Sequence, residues 1–424
     1  MAEPRCQRLR WMLAIGFAVG FLLSGVGCAL GPRTIEHSRL RYNEAIKTTT
    51  EQQLLLNIVR LRYIDTPSSL SISSIADQQE LMAGLQAMPF FTSAAAGNLG
   101  TYQGMILPQA QLSRTSRPTL SFTPLDDQEF TRRLFTPISL EGVAYISRST
   151  WPISTVFRLY LENMNWVPNG EIASGPTPKV PPEFKGFLEG VRALQRLEEA
   201  RLVEFFTEER EEKLSDPFTQ TDQTPLAAVE AAKAGLELRK DRKGGWTVQR
   251  KKQQIVLRVR EDAGHEPDYL KFCQVFKLNP AKRSFDITTD KLDPFLKNAP
   301  REGLETIDLE TRSLLQVLFF VSHGVQVPPA QVEAGVVPQA INPVTGEVFQ
   351  WDELLGDLFV VKSSCGKCPP EHAYVAVCYR DTWFYIDDRD RDTKATFALL
   401  IELSRLELGS KTGTAPILTL PLGG

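Results

Sequence analysis

The sequence predicts an α+β fold, with mixed helices, antiparallel hairpins and a compact C-terminal α+β domain. Segments of helical period and segments of strict alternation occur in the same chain, so both element types are expected. They do not follow one another as a regular strand–helix–strand repeat, which disfavours a doubly wound parallel sheet. The 424 residues are 42% hydrophobic and 23% charged, the balance of a folded chain of roughly two to three domains. That excludes a wholly disordered chain, a collagen-like repeat and a polytopic membrane protein. The net charge of -3 selects neither nucleic acid nor an anionic surface.

Residues 1–10 hold Arg5, Arg8 and Arg10 against Glu3, and residues 11–30 hold no charge. A basic start, an apolar run and small residues before a cleavage point make an export signal. The run closes on Leu23-Ser24-Gly25-Val26-Gly27-Cys28, which resembles a bacterial lipobox with Gly25 where Leu is usual. On this reading residues 1–27 are a signal peptide. Cys28 carries the lipid (palmitate among its acyl chains), and residues 28–66 form a lipid-anchored helical segment. An uncleaved signal anchor is the second reading, because a run of this length also spans a bilayer. A plain cleaved signal is the third. All three place residues 29 onward outside the cytoplasm, in a bacterial cell envelope, at the outer membrane or facing the periplasm.

Residues 34–64 read as helix, with Thr48-Thr49-Thr50 as an N-cap before Glu51 and Leu54, Leu55, Ile58 and Leu61 as the buried stripe. Asn57 and Arg60 fall on the polar side. Residues 67–174 read as a strand hairpin plus helices. Leu70 and Ile72, then Ala110, Leu112, Leu120 and Phe122, alternate with polar residues around a small-residue segment, Ala83–Gly104. Two readings stand: an ordinary hairpin with a flexible tip, or a hairpin that each subunit gives to an oligomeric membrane β-barrel. Helices are expected after Asp126 and over Thr150–Trp166.

Residues 175–182 are a Pro-rich linker. Residues 183–305 hold a long helix, Pro182–Ser215, then a short helix over Thr224–Gly235 and a basic hairpin over Leu236–Arg260. Arg239, Lys240, Arg242, Lys243, Arg250, Lys251 and Lys252 would cluster there as an anion-binding patch; a charge-protected sheet edge is the plainer reading. Residues 306–424 form the C-terminal domain. It is read as a helix Asp308–His323, strands at Asp357–Ser363, Ala373–Arg380 and Thr382–Asp387, a helix Thr393–Leu406 and a strand Ala415–Leu420.

Six cysteines occur, and beyond Cys6 and Cys28 four remain in an oxidising compartment. Cys365-Gly-Lys-Cys368 sits before Pro369-Pro370 and a strand. It lacks the helix start that lowers a redox thiol's pKa. A disulfide between Cys365 and Cys368 pinning the hairpin, free thiols, and a zinc site with His372 and Cys378 are the alternatives. The run Asp387–Asp392 fails as a calcium loop, since Thr393 and Leu399 stand where Gly and Glu are needed; Asp392 is read as a helix cap. His323 ends an apolar helix and is read as a partner of its C-terminal dipole. No nucleophile–base set, metal-ligand pattern or phosphate loop is present. No catalytic residue, metal or cofactor is therefore expected.

Four blocks, residues 42–63, 117–138, 311–320 and 373–400, are similar to a family of predicted bacterial envelope proteins that often carry lipoprotein signals and have no assigned activity. The resemblance implies an envelope setting and transfers no functional residue. The expected function is that of a membrane-anchored envelope lipoprotein with a non-catalytic scaffolding or assembly role. Its partners are the membrane, other envelope proteins or further copies of itself, and not nucleic acid. The alternative is a thiol-redox or other envelope enzyme using Cys365 and Cys368.

Overall fold

The computed structural model describes residues 39–68, 70–92, 103–124, 128–147, 151–215, 232–233, 235–240, 245–289, 302–408 and 418–421. Cys28, Arg242, Lys243 and nearly all of the helix expected over Thr224–Gly235 lie outside them. The chain divides into two compact units: one joins the residues up to Pro67 with Phe135–Arg405, the other joins Ser68–Leu134 with Leu406 onward. The Pro-rich stretch expected as a linker lies inside the first unit. There Thr177 Oγ1 accepts from Arg62 and the Lys179 carbonyl accepts from the Ile341 N–H. Its backbone is bonded into the body, so it separates nothing.

The first unit opens with α1 (39–62). The triple threonine is not a cap: Thr49 and Thr50 lie within the helix and their hydroxyls donate back to the carbonyls of Ala45 and Ile46 at 2.8 and 2.7 Å. Leu55, Ile58 and Val59 are fully buried, and Asn57 is buried with them. Glu51 accepts a 2.8 Å hydrogen bond from the Tyr374 hydroxyl, and the Tyr63 ring meets Tyr379 and Phe384 edge-on.

After α3 (Leu140–Ser147), the helix expected to reach Trp166 stops at Tyr160. Here α4 (Ile153–Tyr160) runs straight into β3 (Leu161–Met164), and β4 (Val167–Pro168) returns beside it. Asn165 and Trp166 take φ of 49° and 63°, the left-handed pair that a two-residue hairpin turn requires. Asn165 is held in that turn by its side chain, which donates to the Phe276 carbonyl and accepts from the Asp308 N–H.

The long helix expected over 182–215 also divides. Its first part is α5 (Lys185–Glu199), burying Phe187, Val191 and Leu194, and its charged end is β5 (Val203–Lys213). β6 (Glu237–Lys240) and β7 (Trp246–Val259) form the expected basic hairpin, and β5 lies antiparallel to β7. The glutamates of this segment are thus a strand's answer to the basic residues of β7.

β8 (Ser284–Thr288) and β9 (Thr306–Thr311) complete a sheet of order β4-β3-β9-β8-β7-β5, with β6 paired to β7. Only β8 and β9 run parallel. The expected helix over 308–323 is therefore β9 followed by α7 (Leu314–Ser322). Ser313 starts that helix with a capping box: its hydroxyl accepts from the Gln316 N–H while Gln316 Oε1 accepts from the Ser313 N–H.

α6 (Pro267–Val275) crosses α5 at Gly190. A Cβ there would stand 2.4 Å from the Phe276 ring and 2.8 Å from Val275. Phe276 is fully buried and edge-packed on Phe187 and Phe272, so the ring cannot swing clear. Gly190→Ala is expected to cost about 1–3 kcal/mol, the usual range for overpacking. It should appear as a lowered urea midpoint at unchanged slope; an unchanged midpoint would mean that the two helices separate freely.

Beyond the short α8 (Pro329–Glu333) and α9 (Asp352–Leu355), a second sheet has the order β10-β12-β11, with β10 (Lys362–Ser364), β11 (Ala373–Tyr379) and β12 (Thr382–Asp387). α10 (Arg391–Leu408) follows. Its cap is Asp390 and not Asp392: Asp390 accepts from both the N–H and the hydroxyl of Thr393.

The second unit is built on one hairpin. β1 (Leu70–Thr92) and β2 (Gln103–Pro124) pair antiparallel along their whole length, with one bulge at Ser73. Strands of this length reach about 75 Å. α2 (Gln128–Phe135) follows, and β13 (Leu418–Pro421) covers only Thr119–Phe122 on the outer edge of β2.

Candidate functional site

Cys365 and Cys368 carry exposed free thiols, as does Cys378 on β11, and Cys273 is a free, buried thiol in α6. The expected disulfide between Cys365 and Cys368 is thus not formed in this structure. The pair lies on the loop joining β10 to β11, where no helix begins. Among the described residues no three His, Cys, Asp or Glu side chains converge as metal ligands.

The acidic run is a structural clasp. Asp387, almost fully buried, accepts from Arg389 through its backbone N–H and its guanidinium, and from Lys362 Nζ at 3.0 Å. The Arg389 and Lys362 bonds hold its carboxyl well below the usual carboxylate range.

The basic hairpin is answered from β5 and from Glu237 of its own β6. Arg250 pairs with Glu212 at 2.9 Å, Lys251 with Glu237 at 3.3 Å, Arg258 with Glu208 at 2.8 Å, and Arg239 with Glu211. Lys240 and Lys252 are exposed beside them. Glu204, Glu208, Glu209, Glu211 and Glu212 on the adjoining strand cancel most of the local field that an anion would need. Residue counting along one hairpin missed this, because the compensating charges lie some forty positions earlier.

Two clefts open on the first unit. One, of about 960 Å³, is lined by Pro181, Phe184, Lys185, Val348, Phe349 and Glu353. The other, of about 390 Å³, is lined by Arg62, His323, Gln326, Gln339, Gln350 and Trp351. Arg62 donates to Thr177 Oγ1 at 2.8 Å, and burial lowers its pKa to about 10, so it stays charged at neutral pH. The His323 ring stacks on Trp351 at 4.0 Å, and its Nε2 donates to the Ala173 carbonyl at 3.1 Å. Burial, helped by the Arg62 charge, drives its pKa down to about 3. The imidazole is therefore neutral, so it is not the expected partner of a helix dipole and is too weak a base to activate a nucleophile near pH 7. This cleft offers a cation, the carboxamides of Gln326, Gln339 and Gln350, and the Asp352 carboxylate.

The remaining feature is the hairpin of the second unit. No charged residue lies between Glu80 and Arg114. In the register of β1 and β2, Leu81, Ala83, Leu85, Ala87, Pro89 and Phe91 share one face, with apolar residues opposite all but Leu81, from Leu112 to Gly104. The other face holds Gly84 opposite Gln111 and Gln86 opposite Gln109. The proximal half of the strands carries Asp77, Glu80, Arg114 and Arg117. Pro89, Pro108 and Pro118 all fall at positions of one parity in this register. Proline has no N–H, so this parity is the one whose donors face away from the ladder. The prolines leave the β1–β2 pairing whole and thin the donors on the outer edges. The composition between Glu80 and Arg114 was visible in the sequence, but not the register that sets one apolar face beside one of mixed amide and apolar residues.

No protein-family model, curated protein or solved structure matches this chain.

Proposed function

We propose that this chain is a membrane-anchored bacterial envelope lipoprotein whose role is assembly and not catalysis. The observation that carries the reading is the charge layout of the N-terminus: three arginines, then seventeen uncharged residues that end in Leu-Ser-Gly-Val-Gly before Cys28. Lipid on Cys28 tethers the two units to a membrane surface and raises the effective concentration of subunits in its plane. The interior of the first unit agrees with a passive body: the buried Asn165, Asn169 and Arg312 side chains donate to backbone carbonyls.

The test follows a radiolabelled palmitate precursor and membrane fractionation in a bacterial host. The wild-type chain is expected in the membrane fraction, labelled, with its mature N-terminus at Cys28. Cys28→Ser is expected to lose the label, keep residues 1–27 attached and shift toward the uncleaved form. An intact wild-type chain with an unmodified Cys28 thiol would overturn the reading.

A further inference from the structure

We infer that the β1–β2 hairpin is a membrane-inserting element, and that hairpins from several copies of this chain pair edge to edge into one transmembrane β-barrel that conducts solutes. The inference takes the membrane location from the proposed function; the hairpin geometry carries the rest.

Length comes first. The uncharged segment covers residues 81–92 on β1 and 103–113 on β2, about 11 residues on each strand. Tilted by about 45°, as strands of a barrel are, that length rises about 25 Å, the height of a barrel's apolar band. The charged residues resume in both strands at the same level, Glu80 beside Thr115 and Leu81 beside Arg114. A membrane boundary crosses a hairpin in this way. Residues 93–102, which join the strands, are uncharged as well, so carrying the tip through hydrocarbon moves no charge.

Alternation comes second. One face of the distal half is apolar throughout β1; the other bears Gln86, Gln109, Gln111 and Ser113 in its first part, then Met88 opposite Leu107 and Phe90 opposite Met105, before Thr92 and Gln103. Lipid-facing and lumen-facing residues alternate in this way in barrel strands. In water the apolar face would need cover, yet among the described residues the helical segments of its own unit are the eight-residue α2, about 12 Å long, and the end of α10.

Closure comes third. β1 has no strand on its outer edge among the described residues, and β13 occupies only four residues of the outer edge of β2. An open edge cannot lie in hydrocarbon, where every backbone group must be bonded. Two strands cannot close on themselves. The edge of β1 complements that of β2 in strand direction, so the occupant is a second copy, repeated until the ring closes. Pro89 and Pro108 remove single donors from the joining edges and limit which register the neighbour accepts.

The experiment uses the full-length chain, with its lipid, reconstituted in phosphatidylcholine–phosphatidylglycerol vesicles. Cys365, Cys368 and Cys378 are replaced by Ser. Single cysteines introduced as Ala83→Cys, Gly84→Cys, Leu85→Cys, Gln86→Cys and Ala87→Cys carry an environment-sensitive dye. Quenching by nitroxide lipid is expected at 83, 85 and 87, and quenching by aqueous iodide at 84 and 86. In planar bilayers the wild type is expected to give discrete conductance steps. Leu85→Arg should lower the frequency of these steps tenfold or more, while Gln86→Arg should keep them and turn the selectivity toward anions. Crosslinking should give a ladder ending at one closed size. Labels that are uniformly aqueous on a chain still held by its lipid would overturn the barrel and leave the anchor standing. So would a barrel that forms only with a second, different protein. Conductance from Cys28→Ser would uphold the barrel and count against the anchor.

Discussion

Arg312→Met is expected to destabilise the first unit by about 3–5 kcal/mol, the range for removing one partner from a buried charged network. Arg312 is wholly buried. Its Nε donates to Ser174 Oγ and its Nη1 to the carbonyls of Arg158 and Leu159, at 2.8, 2.8 and 3.2 Å. Nη2 donates to the Asn169 carbonyl, and the guanidinium plane lies 3.9 Å over the Phe320 ring. Burial lowers its pKa to about 9, with Glu162 and Glu171 opposing, so it stays protonated at neutral pH. The fork gathers the end of α4, the β3–β4 hairpin and the segment beyond it under the start of α7. Methionine fills similar space but strands the Leu159 and Asn169 carbonyls, each worth about 1–3 kcal/mol when left buried and unmet, while the Arg158 carbonyl keeps its bond from Asn169 Nδ2. Arg312→Lys should recover only part, because a point ammonium cannot span the fork. Arg192→Met, whose partner Asp357 is half exposed, should cost about 1 kcal/mol or less. Urea unfolding followed by tryptophan fluorescence distinguishes these. A cost for Arg312→Met as small as that for Arg192→Met would remove the fork from the account of this fold.

The sequence was legible where the signal is local. The α+β class was readable from the two periods, and β12 occupies Thr382–Asp387 as expected, because alternation and the turn before it coincide. β6 and β7 likewise lie within the hairpin expected over Leu236–Arg260. The misreadings share a cause. β5 looks helical because its glutamates and lysine suit a solvated helix, and only the basic strand β7 beside it makes extended pairing favourable. β3 and β9 are buried and lack the alternation that marks a half-exposed strand, so each merged with its neighbouring helix. Arg312 has no local mark at all, since its acceptors lie some 140 to 150 positions earlier. The hairpin of the second unit was visible as alternation and as absence of charge. Its length and unbroken register, on which the barrel rests, were not.

Stability should also fall between pH 7.5 and pH 5, by about 2 kcal/mol from His323 alone. The ordinary imidazole value is 6.5, and burial first, then the Arg62 charge, depress it to about 3 in the folded chain. A depressed value means that the unfolded chain binds the proton first. The stabilisation is complete above about pH 6.5 and declines as pH falls toward the folded value, by about 1.4 kcal/mol per pH unit once the unfolded imidazole is protonated. Asp387 is depressed too, but an unfolded carboxylate takes up protons only near pH 4, so its contribution is lost in a more acidic window. His323→Phe keeps an aromatic ring against Trp351 and deletes the titrating group, at the cost of the bond to the Ala173 carbonyl. That lost bond lowers stability equally at both pH values, whereas the proton acts only at the lower one. Urea unfolding at pH 7.5 and 5 should therefore show stabilities that separate by about 2 kcal/mol more in the wild type than in His323→Phe, since every other side chain is common to both. Equal pH dependence in the two proteins would mean that His323 meets water, and that the cleft beside Arg62 opens wide enough to hydrate it.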